Sequence, residues 1–409
     1  MAFGYCRTLF LPVLLCFAAA SAQTSKGATP SSSMPNGTIK SIVDSAAAEF
    51  LKNDPQAVGV SIGVLKDGSS YTYNYGSKDK GGRTPPAANS LYPIASITKT
   101  FTGILLAQAA MEKRLSLKDD VRQYLAEPYP NLEYQGHPIL VEQLVNHLSG
   151  LPFNLPDIPE NRPPFPSVSP AAQQQINNYT RANFLADLHK VKLDRVPGEK
   201  FSYSNAAAVL ASLILERMYG KPYEEIVKER IASPLQMTDT TISPSSSQQQ
   251  WLMKGYDEKG NEIPYGLELA LGAGGLKSAV ADLLKYAQWQ MEETDPAVKI
   301  SHQPTFSYNN YSVGLNWQMV NAGGYRRIWQ EGDRPGFTSI CMVIPELKIG
   351  IVVLANEEDQ QIVTCAYADA KPDRERTGRQ IVTAFLMLAR SDLHSSELQA
   401  FNPRVGHST

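Results

Sequence analysis

The sequence predicts an α/β protein of the α+β kind, in which an antiparallel sheet flanked by N- and C-terminal helices is interrupted by an inserted all-helical domain. Apolar residues alternate from Val58 to Val64, and β-rich runs return near the other end of the chain, at 311–320, 325–330, 337–344 and 349–354. Between them, from Ser96 to about residue 290, the pattern is mostly helical and broken by proline-rich loops. Because hairpin-length turns join the strands, the sheet should be antiparallel. Strands on both sides of a helical block predict one sheet domain with an insertion.

The first 22 residues have the pattern of a secretory signal peptide. Arg7 precedes an apolar stretch that runs to Ala20, and the segment Ala20-Ser21-Ala22 offers an A-x-A cleavage site. The apolar stretch is shorter than the roughly 20 residues of a membrane-spanning helix. We therefore expect a protein exported to the periplasm or the extracellular medium, without a stable membrane anchor.

The remaining chain divides by composition and periodicity. Ser, Thr, Pro and Gly dominate the segment after the signal peptide, which is typical of a flexible linker. A helix with one apolar side follows at 39–51, then a β-hairpin that turns at Asp67-Gly68. A last helix is expected at about 375–389. The predicted organisation is a signal peptide at 1–22, a linker at 23–38, a sheet domain at 39–90 and 291–391, a helical domain at 91–290, and a disordered tail at 392–409.

Charge and metal-ligating residues exclude several function classes. The formal net charge is −2, which gives no electrostatic basis for binding nucleic acid or an anionic membrane. The six histidines show no ligand spacing with carboxylates or cysteines, so we expect no metal ion and no other cofactor. Cys341 and Cys365 form either one disulfide or two buried thiols. We expect a monomer.

The segment Ser96-Ile97-Thr98-Lys99 places a hydroxyl and an amine one helical turn apart, just before an apolar helical stretch. Serine needs a base within hydrogen-bond reach to act as a nucleophile at neutral pH. A lysine can be that base if burial lowers its pKa from about 10.4 toward neutrality. At a helix N-terminus, free N–H groups also favour a developing oxyanion. The alternative is that Ser96 only caps the helix.

Three similar patterns lack the required context. Ser77-Lys78-Asp79-Lys80 repeats the spacing, but it lies in a glycine-rich stretch with no apolar helix after it. Gly59-Val60-Ser61-Ile62-Gly63 matches a nucleophile elbow, yet strand alternation continues through it, so close packing of the strand is the better explanation. The glycines Gly272, Gly274 and Gly275 are followed by no Gly-Lys-Ser, and a tight turn is expected there.

A second candidate group is Tyr203-Ser204-Asn205, which leads from a loop into an apolar helix. A phenol beside a lysine base can shuttle a proton to the leaving group. The same tripeptide pattern occurs at Tyr129 and at Tyr308 in loop-like surroundings, so only the context favours Tyr203. Without Ser96 and Lys99, a core tyrosine followed by a capping asparagine would be the simpler interpretation.

These motifs together resemble serine β-lactamases and penicillin-binding proteins, most of all class C β-lactamases and AmpH-type D-alanyl-D-alanine carboxypeptidase/endopeptidases. The resemblance also includes the segments 144–151, 233–240 and 274–278, and spans about residues 39 to 389. It implies a β-lactamase/transpeptidase-like fold and a small-molecule or cell-wall peptide substrate. It further implies that Ser96 is the nucleophile, Lys99 the base and Tyr203 the proton shuttle, while Asn205 contacts a substrate amide.

The chain departs from the family at its third motif, usually Lys-Thr-Gly or His-x-Gly on a strand. The matching positions are Gln330-Glu331-Gly332, so a neutral amide replaces the cation that would steer a substrate carboxylate. Arg334 is the candidate for the missing positive charge. The implied oxyanion hole consists of the backbone N–H groups of Ser96 and Asp333, which do not depend on side-chain identity. The departure therefore keeps acyl transfer but disfavours carboxylate-bearing substrates.

Three functions remain open at this point. The first is a penicillin-binding D-Ala-D-Ala peptidase with β-lactamase activity. The second is a carboxylesterase on the same scaffold, which Gln330 favours because esters need no anchoring carboxylate. The third is a non-catalytic peptide-binding homologue, against which the retention of Ser96, Lys99 and Tyr203 argues.

Overall fold

The computed structural model describes residues 36–53, 58–161, 169–257, 260–263, 269, 271–322 and 324–356. Several sequence predictions lie outside these described residues: the signal peptide, the linker up to residue 35, Cys365, the last helix and the tail. The domain bounds at residues 90 and 290 stay a prediction.

The described residues form an eight-stranded sheet in which every neighbouring pair is antiparallel, as predicted. Its strands are β1 (Gly59–Lys66), β2 (Ser69–Gly76), β9 (Phe306–Tyr308), β10 (Tyr311–Val313), β11 (Gln318–Ala322), β12 (Tyr325–Arg334), β13 (Phe337–Ile344) and β14 (Ile349–Ala355). Their order across the sheet is β2-β1-β14-β13-β12-β11-β10-β9. Three short two-stranded pairs lie between them in sequence: β3 (Tyr92–Pro93) with β8 (Lys277–Ser278), β4 (Glu133–Tyr134) with β5 (His137–Pro138), and β6 (Gly255–Tyr256) with β7 (Glu262–Ile263).

Nine of the ten helices in the described part of the chain fall between β2 and β9. The helices are α1 (Asn36–Asn53), α2 (Thr98–Met111), α3 (Val141–Val145), α4 (Pro170–Asn177), α5 (Arg181–Leu188), α6 (Asn205–Tyr219), α7 (Tyr223–Val227), α8 (Leu271–Gly274), α9 (Val280–Glu292) and α10 (Pro296–Ser301). In the described residues, no helix has both the length and the apolar composition needed to cross a membrane.

Helix α2 is buried in the core, where it packs against α6, α8 and α10. Phe101 stacks on Tyr286 of α9 with ring centroids 4.1 Å apart, and Thr100 shares a hydrogen bond of 2.8 Å with the Tyr286 hydroxyl. Helix α9 in turn packs on β1 at Gly63, where an added Cβ would lie 2.8 Å from the Leu284 side chain. Close packing explains this glycine of the elbow-like pattern, as predicted. The start of α2, which carries Lys99 and directly follows the turn of Ser96, is thereby fixed relative to the sheet.

Three local predictions are wrong. The run from Tyr311 to Val320 is two strands, because the chain turns inward at 314–317 and Asn316 has a φ of 63°. There the Asn316 side-chain amide donates to the Lys99 carbonyl at 2.7 Å, so the turn also fixes the position of the first turn of α2. The glycine-rich stretch expected as a tight turn contains the short helix α8, and α1 begins at Asn36, inside the predicted linker.

Candidate active site

Ser96 lies in a single 3-10 turn, Ala95–Ile97, directly before α2 begins. Ala95 has a φ of 42°, which is a strained backbone conformation for a residue with a side chain. Neighbouring groups hold the turn: Ser339 of β13 donates to the Ile94 carbonyl at 3.1 Å. Ser96 is half-buried, whereas the residues on either side of it are buried. The turn therefore presents one hydroxyl at the start of a buried helix.

Lys99 is the second residue of α2, one turn after Ser96, and its side chain is fully buried. Its Nζ is 2.9 Å from Ser96 Oγ and 2.6 Å from the carbonyl oxygen of Ala273 in α8. Burial away from water lowers the pKa of Lys99 to about 7. A substantial fraction of the amine is then neutral at neutral pH, with a lone pair that can accept the Ser96 proton.

Tyr203 approaches Ser96 from the loop before α6, and its hydroxyl donates to Ser96 Oγ at 2.8 Å. Ser204, the N-cap of α6, fixes the end of this loop, accepting from the Ala207 N–H at 2.9 Å and donating to the Pro152 carbonyl at 2.6 Å. Removal from water raises the pKa of the Tyr203 phenol above its ordinary value. The phenol is therefore neutral and acts as a donor.

His147 holds this loop through hydrogen bonds. Its carbonyl accepts from the Ser202 N–H at 2.8 Å, and its Nδ1 accepts from the Ser204 N–H at 3.4 Å. Its ring lies against Tyr203 with centroids 4.2 Å apart. Burial, with a smaller contribution from the charge of Lys99, lowers the pKa of His147 to about 3. The ring is thus neutral and does not compete with Lys99 for a proton near pH 7.

The third-motif residues lie on β12, beside the serine turn. Side chains alternate along a strand, so Gln330, Gly332 and Arg334 share one face and Asp333 points away from it. An added Cβ at Gly332 would lie 2.3 Å from the Ile94 carbonyl, so a glycine is required where β12 meets the turn. Gln330 is buried, and its side chain is close enough to Tyr203 to lower the pKa of that phenol, against the larger effect of burial. Asp333 is exposed and Arg334 is half-buried.

Asn205 is the first residue of α6, and its side-chain amide donates to Asn154 at 2.8 Å. Asn154 itself donates to the carbonyl of Asn161 at 2.9 Å. Sequence reasoning missed Asn154 and Asn161, because they lie in a proline-rich stretch that predicts an exposed loop. The Ala273 carbonyl was missed as well, since a backbone acceptor has no sequence signal.

The alternative serines have other partners. Ser61 is in the middle of β1, where it donates to Asn74 at 2.7 Å and contacts the Tyr92 hydroxyl at 3.0 Å. Ser77 follows β2 and bonds to the Thr84 carbonyl at 3.3 Å. In the described residues, no group of three or more His, Cys, Asp or Glu side chains is placed to hold a metal ion.

The aromatic side chains of Trp317, Trp329 and Phe337 are buried. They are part of the packed interior. The half-buried rings near Tyr203 are instead Phe153, with its centroid 5.8 Å from that of Tyr203, and Phe201, which contacts His147.

The chain is similar to several known proteins. The family model described as Beta-lactamase matches residues 43–371. The chain is 28% identical over 317 residues to the D-alanyl-D-alanine-carboxypeptidase/endopeptidase AmpH of Escherichia coli K12, covering 73% of this chain and 79% of the relative. It is 24% identical over 359 residues to a beta-lactamase of Pseudomonas fluorescens, covering 78% and 94%.

A solved structure titled beta-lactamase/D-alanine carboxypeptidase from Pseudomonas syringae superposes with a TM-score of 0.68 at 20% identity, over 82% of this chain and 99% of that one. This likeness shows the shared fold. The antiparallel sheet with its helices is the α/β architecture that the sequence predicted. By its family match, its relatives and its fold, the chain belongs to the beta-lactamase family of serine hydrolases.

Proposed function

We propose that the protein is an exported hydrolase that acts through a Ser96 acyl-enzyme, as a penicillin-binding D-Ala-D-Ala peptidase with β-lactamase activity. One observation carries this proposal. Ser96 Oγ is within hydrogen-bond reach of both Lys99 Nζ, at 2.9 Å, and Tyr203 Oη, at 2.8 Å. The signal-peptide pattern of the first 22 residues supports export, and the names of the relatives support the substrate class.

In the acylation step, Ser96 Oγ forms a bond to the substrate carbonyl carbon while its proton passes to neutral Lys99. The tetrahedral intermediate then collapses, and the bond to the leaving nitrogen or oxygen breaks. Tyr203 gives its proton to the leaving group, and the proton held by Lys99 restores the phenol. Water next attacks the ester carbonyl, which releases the acid and returns the hydroxyl to Ser96. Overall, one water molecule is consumed.

The register of β12 supports the proposed oxyanion hole. Arg334 pairs with Phe337 of β13 across the two-residue turn Pro335-Gly336. Main-chain groups of successive residues point to alternate sides of a strand, so the Asp333 N–H points away from β13. On that side β11 ends, because its first residue, Gln318, pairs with Trp329. The Asp333 N–H therefore lies on an uncovered edge, where together with the Ser96 N–H it would stabilise the oxyanion.

A carboxylesterase is the second candidate, and Gln330 favours it. Gln330 is buried and neutral at the position where the family usually has a cation. Its hydrogen bonds lack the added strength of a charged donor toward a substrate carboxylate. Arg334, on the same face of β12, would compensate only for substrates long enough to reach it. Esters without a carboxylate would lose nothing by this change.

A substrate panel separates the candidates. Purified protein is assayed with a D-Ala-D-Ala dipeptide donor, a chromogenic cephalosporin and p-nitrophenyl acetate, beside Ser96→Ala and the matched control Ser77→Ala. We expect the first two substrates to react, with a loss of at least ~10³-fold in Ser96→Ala and no change in Ser77→Ala. Ester hydrolysis alone would assign the esterase. If Ser96→Ala keeps its activity on every substrate that turns over, Ser96 is not the nucleophile.

A further inference from the structure

We propose that Gln318 is a positioning residue whose side-chain amide sets the direction of a hydrogen-bond chain ending at Ser96 and Lys99. The inference rests on the proposed function, because it assigns Gln318 a part in activating the same nucleophile. Gln318 opens β11 and is buried, and the sequence alone gave no reason to select it.

The amide of Gln318 has one orientation in which all its contacts are satisfied. Its nitrogen donates to Gln330 Oε1 at 3.2 Å and to Glu331 Oε1 at 3.1 Å, and its oxygen accepts from the Tyr311 hydroxyl at 3.0 Å. A carboxylate oxygen is an acceptor, so the nitrogen must face Glu331. The oxygen is then left for Tyr311.

This orientation decides the orientation of Gln330. Its oxygen already accepts from Gln318, so its nitrogen is the atom left to face Tyr203, whose pKa the neighbouring Gln330 side chain lowers. A phenol oxygen that accepts from Gln330 directs its own proton elsewhere, and Ser96 Oγ is 2.8 Å away. Ser96 Oγ accepts that proton, so its own hydroxyl proton can point to Lys99 Nζ, 2.9 Å away. Every hydrogen bond from Tyr311 to Lys99 then runs in the same direction.

The opposite orientation would be unproductive. If the Gln330 amide were turned round, its oxygen would face Tyr203 and compete with Ser96 for the phenol proton. A lysine at this position carries only donors and cannot present an acceptor to Tyr203. A glutamine can present either its oxygen or its nitrogen to Tyr203, so with Gln330 in place of the usual cation the orientation of this amide must be fixed by a neighbour. Gln318 fixes it by donating a hydrogen bond to the Gln330 oxygen.

The test measures the reactivity of Ser96 directly. A fluorescent fluorophosphonate labels an activated serine whatever the natural substrate, and peptide mapping locates the label. The second-order labelling rate is compared for the wild type, Gln318→Leu, Gln330→Leu and the double variant between pH 6 and 9. Gln290→Leu, which changes a buried glutamine in α9, is the matched control. Thermal melting shows whether each variant is folded.

We expect Gln318→Leu to slow labelling by about 10- to 100-fold, part of the 10²–10⁴-fold that positioned proton transfer contributes. In the Gln330→Leu background the same change should cost less than about 2-fold, because Gln318 acts only through Gln330. The control should label at the wild-type rate. If Gln318→Leu does not fold, two other variants provide the same comparison. Gln318→Glu retains the shape of the side chain but presents only acceptors. Tyr311→Phe removes the hydroxyl that donates to Gln318, and should lower the labelling rate by a few-fold.

Two results would overturn the inference while leaving the proposed function intact: a Gln318 variant that labels within 2-fold of the wild type, or equal losses in both backgrounds. A wild-type protein whose Ser96 is not labelled at all would contradict the proposed function and, with it, the relay. The two failures are therefore distinguishable.

Discussion

Replacing Lys99 with methionine should abolish catalysis and, at the same time, stabilise the fold at low pH. The Lys99 side chain is fully buried, and its pKa falls from an ordinary 10.5 to about 7. In the unfolded chain the amine stays protonated up to its ordinary pKa, whereas folding requires it either to lose that proton or to bury a charge. At any pH where the unfolded chain is protonated, this lowers the free energy of unfolding. At about 1.4 kcal/mol per pKa unit, the full penalty is about 5 kcal/mol.

The sign of the pH dependence follows from the lowered pKa. The penalty is complete below pH 7, shrinks as the pH rises toward 10.5, and is about 1 kcal/mol at pH 10. Lys99→Met removes it but leaves the Ala273 carbonyl without its donor, which costs about 1–3 kcal/mol. We therefore expect Lys99→Met to be more stable than the wild type by about 2–4 kcal/mol at pH 6. At pH 10 that advantage should disappear or reverse.

Urea unfolding of both proteins at pH 6 and pH 10 measures this difference, with Lys221→Met as a control for an exposed lysine. Activity measured in parallel should rise with pH through about 7 in the wild type and be lost in Lys99→Met. A stability difference independent of pH would refute the assignment of a buried, neutralised amine. Retained activity would refute its role as the base.

Three further changes have defined outcomes. Tyr203→Phe keeps the ring but removes the hydroxyl that donates to Ser96. It should lower kcat by about 10²-fold with little change in KM. An unchanged kcat would exclude proton shuttling by Tyr203. Gln330→Lys restores the cation usual in the family and should raise the acylation rate with penicillins relative to p-nitrophenyl acetate, whereas an equal change for both would argue against a steering role. Gly332→Ala puts a Cβ 2.3 Å from the Ile94 carbonyl. It should lower the free energy of unfolding by about 1–3 kcal/mol, which thermal melting detects. Unchanged stability would contradict the close approach of β12 to the serine turn.

Local rules made part of the site predictable. Ser96 and Lys99 could be placed on one face because spacing along a helix is fixed by its geometry, and the structure shows their side chains 2.9 Å apart. The hairpin of β1 and β2 follows from alternation and a short turn, and the strands β12 to β14 follow from β-rich runs joined by short turns. The position of Tyr203 beside Ser96, by contrast, depended on the family resemblance, since 107 residues separate the two in the chain.

The remaining features depend on contacts that a sequence pattern does not encode. The inward turn at Asn316 interrupts a run of strand-forming residues, because tertiary hydrogen bonds to Val145 and Lys99 outweigh local propensity there. The Ala273 carbonyl reaches Lys99 only because α8 packs against α2. The proposed role of Gln318 depends on the partners that the sheet register places beside it, and no sequence pattern specifies them.

The most direct measurement is intact-protein mass spectrometry after incubation with a penicillin and, separately, with p-nitrophenyl acetate. Wild type, Ser77→Ala and Ser96→Ala are run side by side, and the modified peptide is mapped. The account predicts an adduct of one acyl group on Ser96 in the first two proteins and none in Ser96→Ala. An adduct that persists in Ser96→Ala, or a wild type that turns over substrate with its acyl group on another residue, would contradict it.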